Sequence, residues 1–350
     1  MSLKARLAAQ IAANGPMTIA QYMQACLHDP KDGYYATRPA LGEAGDFITA
    51  PLVSQMFGEI VGLWAVETWR GLGSPSPFRL VEAGPGDGTL MSDMLRAARL
   101  VPEFLDAADV WMIEVSEPLM KAQMARLAEA PITPTWAAQI GDVPPGAPVI
   151  LIANELLDCL PARQFVQSEN GWVERLVGKD LDDELAYVLS GPGLAGGMIM
   201  EVSPGQEALG SALGEIIRRE HGAALLIDYG RTEPGFGDTF QALSGHQKVD
   251  PLSNPGAADL TVHVNFPAVL DAAKAEGCSA RTTTQGEFLR RLGIEYRAAA
   301  LAKARPDREE TIRRQIHRLV APDQMGDLFK ATVIHYPASP VPPGFEGPVP

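Results

Sequence analysis

The sequence predicts an α/β fold built on a doubly wound, mostly parallel, Rossmann-like sheet. Three observations predict it. Apolar runs at 78–83, 110–115, 148–153 and 223–228 lack a polar face, as strands covered on both sides do. Helical patterns separate most of them. The first run ends in a glycine-rich turn that opens a helix, the usual ligand-binding corner of such sheets. With 350 residues, 46% hydrophobic and 21% charged, the chain can bury a core of this size.

In chain order, residues 3–13 read as a helix stopped by Asn14-Gly15-Pro16. Thr18 is placed as an N-cap, with Gln21 completing a capping box for a helix over 19–27. The Gly-, Tyr-, Thr- and Pro-rich stretch 33–51 is expected to be irregular, and 54–71 an amphipathic helix. Helices at 89–100 and 117–130 and a weak strand at 133–137 fit among the strong strands. Residues 164–189 break the rhythm, and Asn170-Gly171 between strand-like runs predicts a β-hairpin insertion. A helix at 206–220 precedes the strand at 223–228. Residues 230–255 read as a long loop, 262–276 and 285–320 as a C-terminal helical region, 331–336 as a last strand, and 337–350 as a loose Pro-rich tail. These elements divide the chain into an N-terminal helical and lid segment (1–72), a core carrying the hairpin (73–240), a helical substrate-side region (241–330), and a return strand with tail (331–350).

Composition excludes several classes. A formal net charge of -14 argues against nonspecific nucleic-acid binding, which rests on cationic contacts to phosphate. The same charge is compatible with a cationic substrate. Cys26, Cys159 and Cys278 are distant, odd in number and outside any CxxC spacing, so they read as buried apolar groups. The histidines show no metal-binding spacing, no run is long enough to span a bilayer, and the start lacks the apolar stretch of a secretory signal. A reducing cytoplasm is the expected compartment.

The chemistry concentrates in three places. In Glu82-Ala83-Gly84-Pro85-Gly86-Asp87-Gly88-Thr89, glycines let the chain turn tightly and approach a bulky ligand, and the helix behind it offers free amides. Thr89 stands where a dinucleotide fingerprint needs its last glycine, which favours S-adenosylmethionine (SAM) over a nicotinamide cofactor. Glu114, followed by Val115 at the end of the next strand, is placed to accept both ribose hydroxyls of a nucleoside. After the strongest strand comes Asn154-Glu155-Leu156-Leu157-Asp158. Its amide and two carboxylates would neutralise and orient a cationic nitrogen nucleophile, or Asn154 would cap a helix with Glu155 in its first turn.

Beyond these motifs, Gly45-Asp46-Phe47-Ile48-Thr49-Ala50-Pro51 and Ser54-Gln55-Met56-Phe57-Gly58-Glu59 resemble the signature of the MidA family of SAM-dependent methyltransferases. Further matching stretches are Ile227-Asp228-Tyr229-Gly230, His246-Gln247-Lys248-Val249-Asp250-Pro251-Leu252, Ala258-Asp259-Leu260-Thr261 and His263-Val264-Asn265-Phe266. The resemblance covers most of the chain. It implies a class I SAM-methyltransferase fold, SAM as methyl donor, and a protein arginine as acceptor, as in the family's mitochondrial members, which serve respiratory complex I assembly. It also implies that Asp46, Phe47 and Thr49 lie in a lid near the donor. Asn265 departs from the family's expected Asp, and Leu52-Val53 from an acidic residue after the proline.

The expected reaction is in-line methyl transfer. Glu82, Gly84, Gly86, Gly88, Glu114 and Val115 would bind the donor, and Asn154, Glu155 and Asp158 would act on the acceptor. Asp228, Tyr229, His246, Asp259 and His263 are further candidates for an acceptor channel. Two alternatives use the same donor site: a noncatalytic SAM-binding assembly factor, and a methyltransferase of small molecules.

Overall fold

The run Val149–Asn154 is buried along its whole length, as a strand covered on both faces must be. It belongs to the larger of two compact units, assembled from Ile48–Leu156, Leu209–Gly230 and Ala268–Pro350. The computed structural model describes residues 1–37, 49–192 and 197–347. Both units are discontinuous in sequence, unlike the consecutive segments expected with divisions at 72, 240 and 330.

In the larger unit the strands are β1 (Phe78–Ala83), β2 (Ala108–Ile113), β3 (Thr135–Ala137), β4 (Val149–Asn154), β5 (Ala223–Arg231), β6 (Ser279–Thr284) and β7 (Phe329–His335). They stand in the order β6-β7-β5-β4-β1-β2-β3. β7 is antiparallel to both β5 and β6, and the other neighbours are parallel. The order reverses between β1 and β4, so the switch crevice opens at the ends of Ala83 and Asn154. The core of this unit packs Phe57, Ile60 and Trp64 from the helix Gln55–Gly71 with Ile150, Ile152 and Leu225 from the sheet. Trp69, Phe78 and Phe104 form an aromatic cluster with centroids 4.9–6.1 Å apart. Each such side chain stabilises the fold by about 1.5–3 kcal/mol.

The smaller unit comprises Met1–Phe47, Leu157–Ala208 and Arg231–Pro267. Its first helix, Leu3–Asn14, is N-capped by Ser2. The capping box stands as expected: Thr18 accepts from the Gln21 N–H at 3.0 Å, and Gln21 returns its Oε1 to the Thr18 N–H at 2.9 Å. The helix Ile19–His28 follows, with Tyr22, Met23, Cys26 and Leu27 buried.

Several expectations need correction. The hairpin is part of an antiparallel sheet in which Arg163–Ser168 pairs with Gly171–Lys179, flanked by Ile199–Val202, Leu185–Leu189 and the short strand Met17–Thr18. Its turn is Glu169-Asn170, because Ser168 already pairs with Gly171, and of the Asn-Gly pair only Gly171 takes a positive φ. The stretch read as a loop at 230–255 contains strands Gln241–Ser244 and Gln247–Val249, which join Asp259–Thr261 in a second small sheet. Gly245 and His246, both at positive φ, form the two-residue turn that suits a hairpin's twist. β6 was not anticipated. Of the stretch 33–51, residues 38–48 lie outside the described residues; a short helix spans Tyr34–Thr37, and another, Ala50–Val53, begins at its end. The tail is docked as far as the described residues reach: Phe345 is buried against Phe288, and Arg281 donates to the Phe345 carbonyl at 3.1 Å. All three cysteines are buried and none forms a disulfide. Among the described residues no helix is long and apolar enough to cross a membrane.

Candidate active site

At the carboxyl end of β1 the chain takes three left-handed steps, with φ of 67° at Gly84, 54° at Gly86 and 82° at Gly88. A Cβ at Gly84 would stand 2.8 Å from the Leu156 Cδ1, and one at Gly88 would stand 3.3 Å from the Gln123 Cα. Any side chain here would therefore meet both backbone strain and a neighbour. The loop is tied down by Gly84 N–H to the Ile113 carbonyl at 3.1 Å and Gly88 N–H to the Pro85 carbonyl at 2.9 Å. Gly88 caps the helix Thr89–Ala98. Not every amide of that helix start is free, since Thr89 N–H bonds the Asp87 carboxylate at 3.0 Å, and Arg126 pairs with Asp87 at 2.7 Å.

Two carboxyl groups flank this loop. Glu82, in β1, is almost wholly buried, and its Oε2 has no hydrogen-bond partner. Burial, reinforced by the nearby Asp87 charge, pushes its carboxyl well above the usual glutamate range. Glu114 stands one residue past β2. Its Oε1 accepts the Val115 and Ser116 N–H groups, each at 2.8 Å. Burial raises its pKa, opposed by these bonds and by Gln123. Val115 is 68% exposed, an apolar side chain left bare beside the acid.

Sequence reasoning missed Gln123, which lies in the helix Glu117–Arg126 and is fully buried. Its Nε2 donates to the Gly86 carbonyl at 2.7 Å and to Glu114 Oε2 at 3.1 Å, while its Oε1 accepts Trp136 Nε1–H at 2.8 Å. A fully buried glutamine in an otherwise polar, poorly amphipathic helix was the available signal.

Across the switch crevice, β4 ends in Asn154 and Glu155. The expected helix turn is absent: Glu155 has φ of 52°, which a helix does not admit, and 155–160 are bends and turns. Glu155 donates its N–H to the Ile227 carbonyl at 2.8 Å. Its Oε1 accepts Ala50 N–H at 2.9 Å and Asn154 Nδ2–H at 3.1 Å. The buried Asn154 Oδ1 has no hydrogen-bond partner. Thr49 is the N-cap residue of Ala50–Val53 without a side-chain cap bond, and Leu52 and Val53 belong to that helix. Asp228 is buried in β5, with Tyr229 N–H on its Oδ1 at 2.8 Å. Asp46 and Phe47 lie outside the described residues.

Asp158 belongs instead to the smaller unit. There it and Asp259 are both buried, and both charges help drive the Tyr35 hydroxyl pKa upward, although burial is the larger cause. Tyr35 donates to Asp259 Oδ1 at 3.2 Å. His263 N–H bonds Thr239 Oγ1 at 2.9 Å, and Asn265 N–H bonds Gln206 Oε1 at 3.0 Å. His246 is an exposed turn corner.

In the larger unit, then, a side-chain-free cradle lies beside one orphaned buried carboxyl oxygen, a second carboxylate held at both oxygens, and an exposed apolar side chain. These are the requirements of a ligand carrying an ammonium, a ribose and a base, so the residues present fit SAM. Fold and site together define a class I SAM-dependent methyltransferase. Residues 60–284 match the S-adenosyl-L-methionine-dependent methyltransferase family, and the chain belongs to it. A Burkholderia thailandensis protein crystallised with S-adenosyl-homocysteine shares the fold, with a TM-score of 0.81 and 24% identity, covering 99% of this chain and 93% of that one. A Drosophila melanogaster protein named protein arginine methyltransferase NDUFAF7 homolog, mitochondrial, is 37% identical over 374 residues, covering 94% of this chain and 84% of its own length. The Homo sapiens protein arginine methyltransferase NDUFAF7, mitochondrial, is 33% identical over 357 residues, covering 91% and 80%.

Proposed function

We propose that this chain methylates an arginine side chain of a protein acceptor, with SAM as donor. The observation that carries the acceptor class is its 33–37% identity, over more than nine-tenths of its length, to proteins named as protein arginine methyltransferases. SAM supplies a methyl group on a cationic sulfur. The chain's own residues bind and orient. Gly84, Gly86 and Gly88 admit the amino-acid end of the donor, and Glu82 Oε2 takes its ammonium. Glu114 receives the ribose hydroxyls, and Val115 covers the base. Thr49, with Asp46 and Phe47, is assigned to the lid.

A guanidinium remains protonated at neutral pH, so an acceptor nitrogen must be oriented and its proton given somewhere to go. Asn154 Oδ1 supplies an acceptor for a guanidinium N–H. Glu155, fixed by Ala50 and Asn154, supplies the carboxylate that takes up the displaced proton. Holding both reactants in line can lower the barrier by roughly 7–11 kcal/mol.

A subunit of respiratory complex I is the first acceptor to test, and a reducing, cytoplasmic compartment accords with three buried cysteines outside any disulfide. The deciding experiment incubates the purified chain with labelled SAM and a cognate cell extract and locates the label by mass spectrometry. Label on a protein arginine is expected. Label on metabolites alone would favour the small-molecule reading, and SAM binding with no transfer would favour the noncatalytic one. Gly86→Val, which forces a branched side chain into a left-handed step, should abolish both binding and transfer.

A further inference from the structure

The glycine loop and the ribose acid lie at the ends of different strands, and one side chain connects them. Gln123 Nε2 reaches both the Gly86 carbonyl at 2.7 Å and Glu114 Oε2 at 3.1 Å. We propose that Gln123, oriented by Trp136, is the positioning residue that sets the nucleoside grip: it holds Glu114 and the Gly86 bend in the register that SAM requires. The proposal rests on the cofactor reading above.

Three features support it. First, the amide cannot be reversed. The Trp136 indole N–H only donates, so at 2.8 Å it requires the amide oxygen, which turns the NH2 group toward two groups that only accept. Second, the fit depends on a missing side chain, because the helix backbone at Gln123 approaches Gly88 to within 3.3 Å of where a Cβ would be. Glycine at 88 thus lets the helix press against the loop. Third, Glu114 is held at both oxygens, Oε1 by the Val115 and Ser116 amides and Oε2 by Gln123. Gln123 therefore fixes the torsion of the carboxylate and favours its charged form, the form that accepts ribose hydroxyls. Gln123 meets the Gly86 carbonyl and a carboxylate oxygen already placed on the protein, so it acts through Glu114 and the loop and not on the reacting atoms.

The test measures S-adenosyl-homocysteine affinity by calorimetry on the full chain. Gln123→Met, an apolar side chain of similar length, should weaken binding at least about tenfold, the worth of one buried charge-assisted hydrogen bond. The turnover number at saturating SAM should stay near that of the unaltered chain. Gln123→Met combined with Glu114→Gln should cost less than the sum of the two, because they break one unit. A purely structural role would not produce the next result. Gln123→Glu sets two carboxyl groups face to face, so its affinity should recover as pH falls and a proton is shared between them. The unaltered chain should lose affinity over the same range, as Glu114 is neutralised. If Gln123→Met fails to fold, Trp136→Phe removes the orientation lock while keeping an aromatic ring against the core, and should weaken binding in the same direction. Equal affinity of the unaltered and Gln123→Met chains, or parallel pH profiles for Gln123→Glu and the unaltered chain, would overturn the proposal while leaving the cofactor reading intact. An unaltered chain that binds no S-adenosyl-homocysteine would overturn both.

Discussion

The Glu155 carboxylate accepts the backbone N–H of Ala50 at 2.9 Å, joining positions 105 residues apart in the chain. The bond ties the end of β4 to the start of the helix Ala50–Val53, so the proposed acceptor carboxylate is also a helix-terminal cap. Glu155→Gln preserves an oxygen for that N–H and removes the charge. S-adenosyl-homocysteine binding and the thermal midpoint should hold, while turnover falls by about 10²-fold or more, the usual loss for a removed proton acceptor. Unimpaired turnover would strike Glu155 from the mechanism.

Glu82 should show a stability cost paired with a binding role. Its carboxyl is pushed up in the folded chain, so the folded state holds a proton that the unfolded state releases above about pH 4.3. Its contribution to stability is therefore full below that pH and declines as pH rises toward the folded value. Glu82→Gln should unfold at a higher temperature than the unaltered chain at pH 7, with the gap closing at acid pH. Cofactor affinity should drop about tenfold or more, because glutamine, unlike the carboxyl, cannot give up a proton to become the anion that pairs with the ammonium. A variant that binds as tightly as before removes Glu82 from the donor site.

The buried Glu59 runs the opposite way. It accepts Arg96 Nη1–H at 2.5 Å and Arg297 Nε–H at 2.7 Å. Burial opposes its ionisation, but the two guanidiniums prevail and hold its carboxyl below the usual range. The stability it supplies is present above the ordinary glutamate pKa and is lost as pH falls through the depressed folded one. Arg297→Met should cost about 1–2 kcal/mol at pH 7, since Arg96 remains and both arginines keep some contact with water. Urea denaturation at pH 7 and at pH 3 should show the difference shrinking in acid.

Phe345 gives the tail its own test. Its ring lies 5.3 Å from Phe288, and main-chain carbonyls of 344–347 receive Arg281 and Arg291. Phe345→Ala should destabilise the larger unit by about 3 kcal/mol, as for other emptied aromatic sites. A midpoint within experimental scatter of the unaltered chain would mean the tail detaches in solution.

What was legible in the sequence was local. The Thr18–Gln21 capping box, the run at β4 and the Gly84–Gly88 bend each announce themselves within a few residues, by hydrogen bonding, burial or backbone angle. β6 does not: Ser279-Ala-Arg-Thr-Thr-Thr has no apolar face of its own and becomes a strand because β7 pairs with it along its length. The hairpin at 241–249 turns on Gly245-His246, a weaker signal than the Asn-Gly at 170–171, which itself overstated where the turn lies. In the candidate site, the placement of Glu82, the glycines and Glu114 at strand ends was readable, because local pattern and spacing define it. Gln123 was not, since its meaning comes from partners 37 residues back in Gly86 and 13 ahead in Trp136.

β7 lies inside the sheet, between β5 and β6, yet among the described strands it comes last in the chain. While the ribosome is still making the helices that precede it, β5 has an open flank of unpaired amides and carbonyls over Ala223–Tyr229, the register β7 later fills. Nascent chains stalled or truncated before residue 329 therefore expose a sticky, apolar ribbon. They should depend on chaperones, or aggregate, in a way the finished chain does not.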